Sequence, residues 1–285
     1  MTCRQGQWGK LVGVTNVIRL ACLGLILAGG VSITPTSAEE LSWAKLKPSV
    51  YGDRQIIVSD HIVKLDTPYR AKDDRQVPIT VTAQLPDGRS IRSVNIIIDE
   101  NPMPVSLTVH PQTQRSYLWV SANMRFNGPS PIRAVIEADD GKLYMSEKMV
   151  KTSGLGACAS PPVTGMDEAI VTLGNMSLQL EGLVHSAALA RQHKRRARLD
   201  ISHPNLTGLQ MDQITLQYIL PRYVSKIDVA LGKDKLLSME AGISMSENPS
   251  IAFEYTDNGA SQMSVQIEDT DESVFRKSFQ INLGS

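Results

Sequence analysis

Apolar residues recur at every second position through long stretches of this 285-residue chain, a period that belongs to half-buried strands. Val77, Ile79, Val81 and Ala83 alternate with Pro78, Thr80 and Thr82, and Val94, Ile96 and Ile98 repeat the pattern. So do Leu118, Val120 and Ala122, and then Ile132, Ala134, Ile136 and Ala138. Pro86-Asp87-Gly88, Asn127-Gly128-Pro129 and Asp140-Gly141 are turn signals between them, and Tyr144 to Val150 reads as a closing strand. A second series follows: Ala197, Leu199, Ile201; Ile227, Val229, Leu231; Ile251, Phe253, Tyr255; Met263, Val265, Ile267; and Phe275 to Ile281. A short helix is predicted over Leu41 to Leu46. Many short strands without long helical patterns between them predict an all-β chain of two immunoglobulin-like antiparallel β-sandwich domains, residues 39–150 and 166–285. Residues 151–165 read as the linker between them.

The first 38 residues have a different character. Arg4, Lys10 and Arg19 make them basic, no acid precedes Glu39, and an apolar run from Leu20 to Ala28 ends in the small residues Thr36-Ser37-Ala38. This is the pattern of a secretory signal peptide, and the run is about half the ~20 residues a membrane span needs. The expectation is an exported, periplasmic protein without a membrane anchor in its mature form. Removing the segment turns 29 basic and 29 acidic residues into 26 and 29, so the remaining chain is mildly acidic. That balance argues against a nucleic-acid partner.

The same cut removes Cys3 and Cys22 and leaves Cys158 as a single cysteine. An unpaired thiol in an oxidising compartment is a bland linker residue, an intermolecular disulfide, or a working group. Cys158 lies in the linker, in Gly154-Leu155-Gly156-Ala157-Cys158-Ala159-Ser160-Pro161-Pro162, with no large apolar neighbour in sequence beyond Leu155. The composition predicts an exposed thiol on a flexible arm supported by Gly154 and Gly156, and stiffened after the cysteine by prolines. No charged residue lies within six positions of Cys158, so the local sequence offers nothing to lower its pKa. That favours a carried thiol, activated by whichever enzyme receives it, over a nucleophile with its own base.

Other candidate chemistry is sparse. His61, His110, His185, His193 and His203 lack metal-ligand spacing, and His203-Pro204-Asn205 reads as a strand ending in a turn. Arg191 to Arg198 carries five basic residues without interleaved aromatics and reads as an exposed loop, with docking to an acidic partner as its functional variant. The acidic pairs Asp99-Glu100 and Asp139-Asp140 adjoin turn residues. No phosphate loop, nucleophile elbow or cofactor fingerprint is present, so neither a cofactor nor an enzymatic activity is expected.

Several segments together resemble the SoxYZ sulfur carriers, in the fused single-chain form described as quinoprotein dehydrogenase-associated. Tyr51-Gly52-Asp53-Arg54, Tyr69-Arg70-Ala71, Val77-Pro78, Ile96 to Pro102, Asp140 to Tyr144 and Val150 to Cys158 are similar to the SoxY part. Ile201 to Gly208 and Ile243 to Pro249 are similar to the SoxZ part. The resemblance implies a periplasmic, non-enzymatic carrier. Cys158 would be its covalent attachment residue for small sulfur species, and Gly154 and Gly156 its flexible arm. Implied partners are periplasmic redox enzymes and c-type cytochromes of a sulfur-oxidation system, or a quinoprotein (PQQ) dehydrogenase. The arm here reads Gly-Leu-Gly-Ala-Cys-Ala-Ser rather than a run of glycines, and its cysteine is internal to the chain. A scaffold that docks on a dehydrogenase or cytochrome, with the thiol incidental, is the alternative.

Overall fold

The computed structural model describes residues 38–154, 156–162, 165–183 and 194–281. The proposed signal segment, apart from Ala38, lies outside the described residues. The order of elements is α1 (Ala38–Tyr51), β1 (Ile56–Val58), β2 (Val63–Asp66), β3 (Val77–Gln84), β4 (Ile91–Ile98), β5 (Val105–Pro111), β6 (Tyr117–Met124), β7 (Ser130–Ala138) and β8 (Leu143–Val150). The second half contains α2 (Met166–Thr172), β9 (Met176–Leu183), β10 (Lys194–Ile201), β11 (Val224–Leu231), β12 (Asp234–Ala241), β13 (Ser250–Thr256), β14 (Gln262–Asp269) and β15 (Val274–Gln280). Each alternating stretch read from the sequence falls in one of these strands. The all-β, immunoglobulin-like reading therefore holds, with one parallel pair, β1 on β8, among otherwise antiparallel ladders.

The strands form two sheets, and each sheet runs through both halves. One has nine strands in the order β1-β8-β7-β4-β5-β12-β11-β14-β15, the other six in the order β2-β3-β6-β13-β10-β9. The halves join edge to edge: Leu107 faces Ala241 and Val109 faces Met239 where β5 meets β12. In the other sheet Val120 faces Phe253 and Ala122 faces Ile251 where β6 meets β13. The inward side chains of both halves belong to one apolar cluster that includes Ile79, Val120, Ile132, Leu199, Ile227 and Phe253. Sheet edges that would otherwise face solvent are paired in this way.

Strands β4 and β7 are buried at nearly every position, beyond what alternation alone implies. The reason is α1, whose Trp43, Leu46 and Val50 pack on Ile97, Val135, Leu143 and Met145, the outer face of the nine-stranded sheet. The helix runs from Ala38 to Tyr51, beyond the six residues predicted, because Pro48 forfeits one backbone donor without stopping it and Gly52 N still donates to Pro48 O at 3.0 Å.

The basic stretch is the clearest departure from expectation. Its described part, from Lys194 onward, is strand β10 rather than an exposed loop, while Arg191 and His193 lie outside the described residues. Lys194 Nζ lies 3.8 Å from the Tyr117 ring centroid and the Arg196 guanidinium 3.9 Å from that of Trp119. Both cations also approach the buried Glu254 carboxylate, at 3.7 and 3.5 Å. The partners that make a strand of these residues lie on β6 and β13, far away in sequence, where no local reading finds them.

Candidate functional site

The turn that carries Cys158 begins from a fixed point. At the end of β8, Lys151 N donates to Tyr69 O at 2.7 Å and Ala71 N donates to Lys151 O at 2.9 Å. Ser153 then donates to the Asp74 carboxylate through both its backbone N–H, at 2.9 Å, and its hydroxyl. Gly154 and Gly156 have φ of +76° and +66°, left-handed values that L side chains rarely adopt. Residues 156–160 form a tight turn in which Ala159 N donates to Gly156 O at 2.9 Å and Ser160 N to Ala157 O at 3.4 Å.

That turn tucks Cys158 inward. The residue has 0% exposed surface, and the expected exposed thiol is corrected to a buried one. Large apolar neighbours in sequence are not what buries it. Groups from both halves of the fold surround the turn. Thr207 Oγ1 donates to Cys158 O at 2.5 Å, and Gln210 Oε1 accepts from Thr207 N at 2.9 Å. A narrow cleft beside the turn is lined by Arg75, Arg125, Ala157, Ser160, Gln210 and Glu247 among others.

Arg125 supplies a nearby charge that the local sequence does not. It follows β6 and lies almost wholly buried. Its Nη1 donates to Asn205 O at 2.7 Å and Met245 O at 3.0 Å, with Ile243 O at 3.4 Å and Nη2 to Pro204 O at 3.5 Å. Backbone carbonyls of the second half thus solvate a cation that belongs to the first. Burial pushes the Cys158 thiol from its ordinary 9.0 up to about 11, and the Arg125 charge holds it back from rising further. Burial also lowers the Arg125 pKa, opposed by its attraction to Cys158 and Glu247. At neutral pH the enclosed sulfur is a thiol, and a thiol is a poor nucleophile.

Two asparagines fix this arrangement. Asn101 Nδ2 donates to Arg125 O at 2.8 Å and Ser244 Oγ at 2.9 Å, while its Oδ1 accepts from Asn127 N at 2.8 Å. Asn205, at φ +43°, donates through Nδ2 to Ser246 O at 2.8 Å and accepts through Oδ1 from Val224 N at 3.0 Å. Asn101 and Asn205 both occur in segments singled out in the sequence, and so does Thr207. Arg125 does not: a basic residue directly after a strand is too common to signal burial.

His203 plays a structural part. Its Nδ1 accepts from Asn205 N at 3.0 Å and its Nε2 lies 3.5 Å from Asp269 Oδ2. Arg222 Nε donates to the same carboxylate at 2.9 Å. Burial lowers the His203 pKa against the pull of Asp269, so the ring is neutral near pH 7. Among the described residues no three His, Cys, Asp or Glu side chains converge as a metal site. Asp99 does lie in a turn, directly after β4, and there it is also buried against Arg133 at 2.9 Å; burial raises its pKa despite that partner.

Comparison with known families is consistent with this geometry. Residues 47–158 match the family model "Sulfur oxidation protein SoxY" and residues 184–280 match "Sulphur oxidation protein SoxZ". The first match ends on Cys158 itself. Among solved structures, the sulfur carrier protein SoxY from Chlorobium limicola f thiosulfatophilum is 23% identical, over 40% of this chain and 97% of that one, with a TM-score of 0.33. A superoxide reductase (neelaredoxin) from Ignicoccus hospitalis is 16% identical over 34% of this chain and 95% of its own, with a TM-score of 0.28. A putative superoxide reductase from Thermotoga maritima is 16% identical over 34% and 94%, with a TM-score of 0.29. No curated protein matches.

Proposed function

Since the chain is a SoxYZ-type protein with its SoxY and SoxZ domains fused in one polypeptide, we propose that it is a covalent carrier of small sulfur intermediates on Cys158. The observation that carries this reading is the position of Cys158. It is the one cysteine among the described residues, it ends the SoxY match, and its carbonyl is held by Thr207 of the SoxZ part. Attachment of thiosulfate would form a bond between Cys158 Sγ and the terminal sulfur of the anion. The thiol proton leaves, and two electrons pass to an oxidising partner such as a c-type cytochrome. The product is Cys158–S–S–SO3⁻.

In this reading the buried state is the resting state. A thiol raised to about 11 and without exposed surface resists adventitious oxidation and exchange. Handing the sulfur to a partner requires the turn at residues 156–160 to leave its seat. Gly154 and Gly156 adopt backbone angles outside the usual range of other residues and sit where that movement would pivot. The carrier itself has no catalytic task. The signal-like character of the first 38 residues supports a periplasmic site of work, where a sulfur-oxidation system or a quinoprotein dehydrogenase would supply its partners.

Intact-mass measurement of protein purified from its native host tests the reading. Sulfur-containing additions that disappear in Cys158→Ser support it, and a Cys158 that is always unmodified overturns it. Complete burial of the thiol favours one competing view, a scaffold in which Cys158 is incidental. Under that view Cys158→Ala retains full partner function.

A further inference from the structure

Between β10 and β11 the chain builds a small projecting hairpin. Leu206 and Arg222 exchange backbone hydrogen bonds of 2.7 and 3.0 Å at its root. Ile219 N donates to Gln210 O at 2.8 Å, and Asp212 N donates to Gln217 O at 2.9 Å nearer the tip. The Asp212 carboxylate is spent inside the hairpin, accepting from Ile214 N at 2.9 Å, Thr215 N at 2.7 Å and Thr215 Oγ1 at 3.0 Å. The tip is therefore shaped in advance, with Asp212 as the one charged residue between Leu209 and Pro221.

What it presents is apolar. Ile214 is 93% exposed, Leu220 82%, Leu216 69% and Tyr218 67%. Four large apolar side chains on one short finger cost solvation free energy in the isolated protein. Their position is informative, because the root of the same hairpin holds the thiol turn. Thr207, whose hydroxyl donates to Cys158 O, also accepts from Leu209 N at 3.1 Å and donates its own N–H to Gln210.

We propose that this hairpin is the docking element for the enzyme that loads Cys158, and that its occupant is an uncharged, apolar surface beside that enzyme's sulfur-reacting site. The inference rests on the carrier reading above. A second copy of this chain fits less well. Four side chains on a narrow finger fall short of the roughly 800 Å² per partner of a stable interface, and suit a transient one. A permanent copy seated there would also cover the turn that must release the thiol. The preformed hairpin lowers the entropy lost on docking, and movement at its root reaches Cys158 through a single hydrogen bond.

The test compares wild type, Ile214→Ser/Leu220→Ser and Cys158→Ser, each expressed as the full chain in the native host and read by intact mass. Equal urea midpoints and equal iodoacetamide rates at Cys158 in the purified proteins establish that the double variant folds and keeps its thiol seated. The expected result is a sulfur-adduct fraction at least about tenfold lower in the double variant than in wild type. An equal or higher fraction overturns the proposal. So does sedimentation of wild type as a dimer and the double variant as a monomer, which assigns the hairpin to self-association. Absence of adduct in wild type overturns the carrier reading and this inference with it, and is distinguishable from the first failure.

Discussion

The hydroxyl of Thr207 donates to the carbonyl oxygen of Cys158 across 2.5 Å, joining residues 49 positions apart and from opposite halves of the chain. It ties the thiol-bearing turn to a segment that is itself anchored by Gln210 and Asn205. The turn is thus a docked element whose seat is built from both halves.

Thr207→Val removes the donor while keeping the shape. A hydrogen bond of this kind contributes about 1 kcal/mol, so opening of the turn becomes roughly fivefold more frequent. Iodoacetamide alkylation of Cys158 at pH 7.5 should accelerate by that factor, and Thr207→Ser should restore the wild-type rate. An unchanged rate in Thr207→Val would show that the bond does not hold the turn.

The raised thiol pKa makes a signed prediction at alkaline pH. Burial favours the neutral thiol, so its stabilising contribution is complete below the ordinary value of 9.0 and is lost as pH rises through about 11. A rise of that size corresponds to roughly 3 kcal/mol. Urea unfolding from pH 8 to 11 should show wild type losing up to that much more stability than Cys158→Ser. Parallel curves for the two proteins would mean the thiol is not buried in solution.

Arg125→Met strips the donors from Asn205 O and Met245 O and leaves both carbonyls buried. The expected cost is about 3 kcal/mol in urea unfolding. Loss of the charge also lets the Cys158 pKa rise above its present value, so the alkylation midpoint in a pH titration should move up. Arg125→Lys keeps a charge but loses the fork, and should recover the midpoint more fully than the stability. A midpoint that stays put in Arg125→Met would remove Arg125 from the electrostatics of the site.

His203 predicts the acid limb. Its folded pKa lies below the ordinary 6.5 because burial disfavours the imidazolium, so its contribution is present above pH 6.5 and is lost as pH falls through the lower folded value. Protonation would also put a hydrogen on Nδ1, which now accepts from Asn205 N. Chemical-denaturation curves from pH 7 to 5 should fall more steeply for wild type than for His203→Gln. Equal slopes would assign the acid sensitivity to other groups.

Strand alternation makes most of the fold legible, because a residue facing the core on one strand announces its neighbours two positions away. Strands β5, β9 and β12 are harder to read. Val105-Ser106-Leu107-Thr108-Val109 alternates but runs straight into His110-Pro111, Met176 to Glu181 alternates but is followed at once by Gly182, and Asp234 to Ala241 breaks the period with Leu236-Leu237. Two of these three matter for the architecture, since β5 and β12 are the strands by which the halves join. Cys158 stands out as an orphan in the cysteine count. Its burial does not, because composition around residue 158 describes the turn and says nothing of Thr207 or Arg125, which arrive by way of the sheets. Lys194 and Arg196 illustrate the same limit, being solvated by Glu254 and by aromatic rings on β6.

Both sheets cross the junction between halves, so separating the halves means breaking two ladders of backbone hydrogen bonds. A carrier assembled from two separate chains would lose the seat of its thiol on dilution, as any dimer loses its interface. Here seat and thiol share one polypeptide, and the local concentration of each for the other is set by geometry. Thiol protection in this protein should accordingly be independent of how much protein is present, and the rate of Cys158 alkylation should stay unchanged across a dilution series.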